Sequence, residues 1–335
     1  MKLARFQIVI AILFGIAIGA FGVDVVFVDG VVDGRYADGQ TVELFIGDVV
    51  KNGDTVLTGK NAYADLEPAA GSLIRISPDT VFTVREIERD GEKRSVLSTT
   101  IGTVRFKFDR LTGKEPLIAT PGTVAGIRGT ELEVYAGSDG AVMILVSTGA
   151  VVVESLGKSV SLAENEGVEI APGEPPGDVF EVLRGQLDFS TWNGERDATI
   201  LKNPLKALTG AIVGLASLIA DLESVVPQFE AKLAELETEK ETLRAEEDDD
   251  KQKSIYEQTV FPLEVATSYL ALNLRYYALS ALSFRRYVLG TMYLRVKMRA
   301  IVEQSDEHQR FFEEYDRVME DFEDHVTPHL VGIDI

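Results

Sequence analysis

At Asn203-Pro204 the apolar residues of this 335-residue chain change their period, and the change limits what each side can become. Before it, short β-branched runs alternate with turn pairs, the spacing of strands. After it, Leu208, Ile212, Leu215, Ile219, Leu222, Val226, Phe229, Leu233, Leu236 and Leu243 follow steps of four and three residues, with Lys240 interrupting. That is a heptad seam along a long helix. Asn203 reads as its N-cap and Pro204 as its first helical residue. Pro227 lies inside and is expected to kink it. The two patterns together read as α+β, in more than one domain.

On the first side, strands are expected near 25–28, 41–46, 62–66, 73–76, 81–87, 95–97, 103–108, 131–135, 141–147, 151–154, 160–162 and 168–170. Asn52-Gly53, Asp90-Gly91 and Asp139-Gly140 separate them, and the last is a hairpin signal. The stretch 118–134 reads as two strands joined by tight turns, with Gly122, Gly126 and Gly129 where φ > 0 or close approach is needed. Residues 172–177, Pro-Gly-Glu-Pro-Pro-Gly, form a stiff turn or linker. Trp192, the only tryptophan, is expected to cap a core edge.

On the second side, the acidic run 246–253 reads as a solvated helix end and turn. It lacks the glycine and spaced oxygens of a calcium loop. Residues 255–302 form a second helical stretch, apolar on most faces and so covered on more than one side. Phe311, Tyr315, Val318, Phe322 and Val326 make a third stripe after a turn near Ser305-Asp306. The expectation is a helical hairpin or a three-helix, coiled-coil-like bundle.

Lys2 and Arg5 precede an apolar run over 6–23 that ends in small residues, the pattern of a secretory signal or an uncleaved anchor. The domain reading is therefore 1–22 signal or anchor, 23–177 β domain, 178–203 linker and 204–335 helical domain.

Formal net charge is −21, which repels nucleic acid and anionic lipid at long range. DNA and RNA are not expected partners, and membrane contact is expected only through 6–23. There is no cysteine, which removes disulfides, thiolate nucleophiles and Cys-based zinc sites. His308, His325 and His329 lack metal-ligand spacing. Gly53 to Lys60 resembles a phosphate loop only superficially: five residues separate its glycines, and Asn61 follows the lysine. No enzyme, cofactor or metal is expected.

Several ordered motifs carry a family resemblance. Thr120-Pro121, then Gly126-Ile127-Arg128-Gly129-Thr130 with Leu132 and Val134, resembles the signature of the FecR domain of bacterial envelope regulators. Gly47-Asp48-Val49-Val50, Gly53-Asp54-Thr55-Val56, Gly71 to Ile76, Gly102 to Arg105 and Gly149-Ala150-Val151 resemble its other parts. The resemblance covers about 42–155. It implies a β-solenoid-like or barrel-like domain and a location outside the cytoplasm, in the periplasm or beyond. In the regulator version it also implies a cytoplasmic anti-sigma segment ahead of the membrane helix. Only Met1 to Arg5 precede the apolar run, so sigma-factor control by that route is not expected.

Among the motif residues, Arg128 has two readings: its guanidinium satisfies backbone carbonyls at a turn, or it meets an acidic partner. Thr120, Pro121, Gly126, Gly129 and Thr130 are expected to be structural. In the second helical stretch Arg275, Arg285, Arg286, Arg295 and Arg299 appear with no acid between Glu264 and Glu303. They form either a basic face for an acidic partner or ion pairs with Glu303 to Asp324 folding back. The functional expectation is a non-catalytic envelope interaction or sensing module. Its partner would be a protein, and its helices would dock or self-associate. The competing expectation is a membrane-anchored signal transducer.

Overall fold

The computed structural model describes residues 22–36, 39–89, 91–109, 115–182 and 189–330, apart from the side chains of Arg128 and Phe189. The expected signal or anchor thus lies outside the described residues except for its end. Gly22 and Val23 already belong to the sheet, pairing with Lys51 and Val50.

The β region contains β1 (Gly22–Asp29), β2 (Val32–Arg35), β3 (Thr41–Glu43), β4 (Val49–Lys51), β5 (Thr55–Thr58), β6 (Tyr63–Glu67), β7 (Leu73–Ile76), β8 (Val81–Arg89), β9 (Glu92–Lys107), β10 (Leu117–Thr120), β11 (Thr123–Ala136), β12 (Val142–Ser155), β13 (Lys158–Leu162), β14 (Glu166–Ile170) and β15 (Phe180–Glu181). All belong to one hydrogen-bonded sheet. β10 runs parallel to β9 and antiparallel to β11, and β9 and β11 pair with each other. That mutual pairing closes the sheet into a barrel, and closure removes free strand edges there. The inside is apolar: Phe82, Phe106, Ile74, Ile76, Leu132 and Val134 are all fully buried.

Two strands are longer than their sequence pattern. β9 joins the stretches expected at 95–97 and 103–108, and β12 joins 141–147 to 151–154. The 118–134 stretch also differs from expectation. One tight turn, at Pro121-Gly122, separates β10 from β11, and β11 then runs through both Gly126 and Gly129. Gly129 has φ +54, and the ladder to β12 shifts register between Arg128 and Glu131. The glycine serves a β-bulge instead of a turn. Both need positive φ; continued pairing to β9 and β12 decides which one forms. The Asp139-Gly140 hairpin forms as expected, with Ala136 opposite Val142 and Gly140 at φ +88.

The helices are α1 (Phe189–Lys202), α2 (Pro204–Ala245), α3 (Asp249–Ile255), α4 (Phe261–Ser283), α5 (Gly290–Val302) and α6 (Asp306–His325). α1 occupies much of the stretch expected as a linker. Asn203 and Pro204 open α2 as expected, and α2 continues through Pro227. The acidic run becomes the turn at its far end, where Asp248 caps α3 by accepting from Asp250 N and Lys251 N. Single π-type turns, Tyr256–Val260 and Phe284–Leu289, join α3, α4 and α5. α2 and α4 lie antiparallel: Lys240 pairs with Glu264 at the tip (2.6 Å), and a Cβ at Gly214 would touch Phe284 (3.3 Å) at the base.

Ser305 caps α6, whose Phe311, Val318 and Phe322 complete a three-helix bundle with α2 and α4–α5. By length and composition α2 could cross a membrane. Here its Leu208, Leu215, Ile219, Leu222 and Phe229 are buried in that bundle.

Gly102 is the tightest point of the barrel. It sits at φ +103, and an added Cβ would lie 2.2 Å from Thr80 Oγ1 and 2.6 Å from Thr80 Cα. Gly102→Ala is expected to cost at least about 2 kcal/mol, from backbone strain plus overpacking. Denaturant unfolding of the purified variant measures this.

Candidate functional site

β8 explains why the two regions form one body. Val81 to Arg85 are buried at every position instead of alternating. Phe82 and Val84 enter the barrel core, while the opposite face carries Arg85 against α4. Arg85 is only 5% exposed. Its Nη1 donates to Ser280 Oγ (2.5 Å), and its Nη2 donates to the Leu279 carbonyl (3.0 Å) and Ser283 Oγ (2.8 Å). Burial pulls this guanidinium down to about 10; Tyr276 and Tyr287 oppose the shift, and Arg275 adds to it. It therefore stays charged at neutral pH.

Two further contacts flank it. Asn273 on α4 accepts from Glu88 N (2.7 Å) and donates to Glu88 O (3.2 Å), extending the ladder where β5 has ended. Arg35 Nη1 donates to Tyr287 OH (2.6 Å). Val96, Leu117, Ala119 and Tyr276 supply the apolar part of the seam.

The signature turn docks beside them. Pro121, Gly122 and Thr123 line a small cleft with Pro172, Gly210, Ala211, Gly214 and Phe284. Small residues on α2 permit this approach: a Cβ at Gly210 would lie 2.8 Å from Pro172 O. At the other end, Trp192 of α1 packs edge-on against Tyr135 (6.4 Å) over the outer face of β12, as a cap should. Asp197 accepts from Ser138 Oγ and pairs with Arg295, tying α1 to both regions.

The motif residues thus do separate jobs. Thr120 and Pro121 face the seam. Gly129 and Thr130 form the bulge, where Gly129 N donates to Glu115 Oε1 (2.7 Å) and Thr130 Oγ1 to Ala150 O (3.1 Å). A Cβ at Gly126 would meet nothing within 4 Å, so packing does not demand glycine there. The Arg128 side chain lies outside the described residues.

Of the two readings of the five arginines, a basic face or ion pairs with Glu303 to Asp324, two of them take the second. Arg285 pairs with Glu323 (3.2 Å) and lies over Phe322, Arg299 pairs with Glu303 (2.5 Å), and Arg295 pairs with Asp197. Arg275 is half-buried near Arg85, and Arg286 is exposed. Surface pairs such as Arg299–Glu303 are worth about 0.3–0.5 kcal/mol, too little to hold the seam.

Sequence reasoning missed two features. One is Arg85, whose only sequence signal was its place directly after the run Val81-Phe82-Thr83-Val84. The other is an uncovered apolar face on α5. Leu294, Met298, Ile301 and Val302 are 60%, 70%, 79% and 80% exposed and follow helical spacing. Met292 and Val296, on the opposite face, are buried in the bundle.

Residues 54–152 match the family described as FecR protein. Two crystal structures of a candidate anti-sigma factor from Parabacteroides distasonis ATCC 8503, at 2.50 and 1.65 Å, resemble the chain at 16% identity, with TM-scores of 0.33 and 0.32. The overlap covers 41% of this chain and 63% of theirs. No curated protein matches the chain by sequence.

Two outcomes follow from the seam. Gly210→Val is expected to pry α2 from Pro172 and split thermal unfolding into two calorimetric transitions. The second concerns pH. Burial raises the phenols of Tyr135, Tyr276, Tyr277 (to about 12) and Tyr315 above 10.0. Unfolded, they ionise near 10 and bind fewer protons than the folded state, so stability falls as pH climbs past that value. Arg85 acts oppositely, but four phenols outweigh one guanidinium. Urea midpoints across alkaline pH should drop.

Proposed function

Starting from a chain whose residues 54–152 are a FecR domain, we propose that it is a non-catalytic regulatory or interaction protein of the cell envelope. The observation that carries this reading is the exposed α5 face. Four large apolar side chains at helical spacing, on a helix that already buries its other side, suit a partner's groove or helix. In this reading the barrel is the sensing module and the bundle is the docking element. The seam couples them: the signature turn leans on α2, and β8 leans on α4.

The partner is a protein, and the same face also serves self-association of coiled-coil type. The apolar run at 6–23, behind Lys2 and Arg5, supports export from the cytoplasm. If that run is retained, the chain is a membrane-anchored transducer; a processed N-terminus in purified protein decides against this second reading.

The test is crosslinking in intact cells with a photoreactive residue at Met298. The expected result is fractionation with the envelope and a crosslink to an envelope protein or to a second copy. Met298→Glu or Ile301→Glu should abolish the crosslink from a neighbouring position without lowering the melting temperature. Intact protein in the cytosol, or a crosslink unaffected by either charge, overturns the proposal.

A further inference from the structure

The most unusual polar feature of the molecule is a buried cation, Arg85, with no ion-pair partner among the described residues. Arg85 lines a small, partly open cavity of about 20 Å³ at the seam, together with Ser98, Thr100, Thr120, Ser280 and Ser283. That space holds about one water-sized guest. The remaining lining comes from Pro121, Leu218, Tyr276 and Phe284, so among the described residues no carboxylate borders the cavity. Two buried polar atoms of the lining have no protein partner, Arg85 Nε and Thr120 Oγ1. Arg85 accepts nothing: every nitrogen of its guanidinium is a donor. Its four hydrogen-bonded neighbours, Ser280, Ser283 and the Leu279 and Tyr276 carbonyls, are neutral. Arg275 adds a second positive charge within electrostatic reach.

The donor set is therefore one guanidinium and a ring of hydroxyls around an apolar-walled space. Isolated buried charges are costly and are normally compensated by an opposite charge. A cation guest is excluded by Arg85.

We infer that the cavity between β8, β10 and α4 is a binding site for one small monovalent inorganic anion of chloride size, held by Arg85 and the Thr120 hydroxyl. The consequence is structural coupling. The anion would touch the signature residue Thr120, strand β8 and helix α4 at once, so its occupancy would set how firmly the bundle is clasped to the barrel. This does not depend on the docking role given to α5.

The full chain is melted in sodium chloride and in sodium gluconate at equal ionic strength, and chloride binding is followed independently by 35Cl NMR line broadening. A ligand that binds only the folded state stabilises it as the logarithm of its concentration. The expected result is a melting temperature that climbs with log chloride but not with gluconate, and a 35Cl broadening that unlabelled bromide competes away. Arg85→Met keeps the volume and removes the charge, and should abolish both effects. Should that variant not fold, Thr120→Val is the second probe and should weaken the chloride dependence at least several-fold. Equal melting curves in the two salts, or broadening unchanged in the folded Thr120→Val protein, overturns the inference and leaves a water-filled cavity.

Discussion

The structure depends on one strand being buried on both faces. β8 gives Phe82 and Val84 to the barrel and Arg85 to the helices, so it belongs to both cores at once. A barrel strand with one wet face would leave the bundle to be held by scattered surface ion pairs, each worth a few tenths of a kcal/mol. Hydrogen bonds from a buried guanidinium are worth more, about 1.5–3 kcal/mol each, because breaking one strands a charge. Arg85, supported by Asn273 on the backbone of Glu88, therefore dominates the polar part of the seam.

The same seam gives the family signature a physical meaning. Its first half, Thr120-Pro121, meets helix α2 and the Arg85 cavity. Its second half, Gly129-Thr130, forms a bulge that lets β11 turn from one neighbour to another while closing the barrel. The bulge is a matter of barrel geometry, and the turn is a matter of docking. Small residues on α2, Gly210 and Gly214, provide the close approach that makes the contact tight.

The bundle solves two problems with one set of helices. α2, α4, α5 and α6 bury a common apolar core that includes Phe284, Phe311 and Phe322. α5 buries Met292 and Val296 there and leaves Leu294, Met298, Ile301 and Val302 outside. A helix apolar on both sides is not needed for the fold. The outer set is left exposed by the fold.

Local pattern alone determined much of this. The change of period at Asn203-Pro204 marked the start of the long helix α2, though not of α1 before it, because alternation and heptads are local properties of side-chain direction. The signature carried the FecR likeness of residues 54–152, Asp139-Gly140 carried the hairpin, and Ser305 carried the start of α6. Tertiary structure decided the rest. Whether Gly129 makes a turn or a bulge depended on β9 and β12 pairing across it, residues distant in sequence. Whether five arginines share a face depended on where Asp197 and Glu323 arrived. Arg85 reads as an ordinary strand cation until α4 covers it, because burial is set by what packs from far along the chain and not by the strand's own residues.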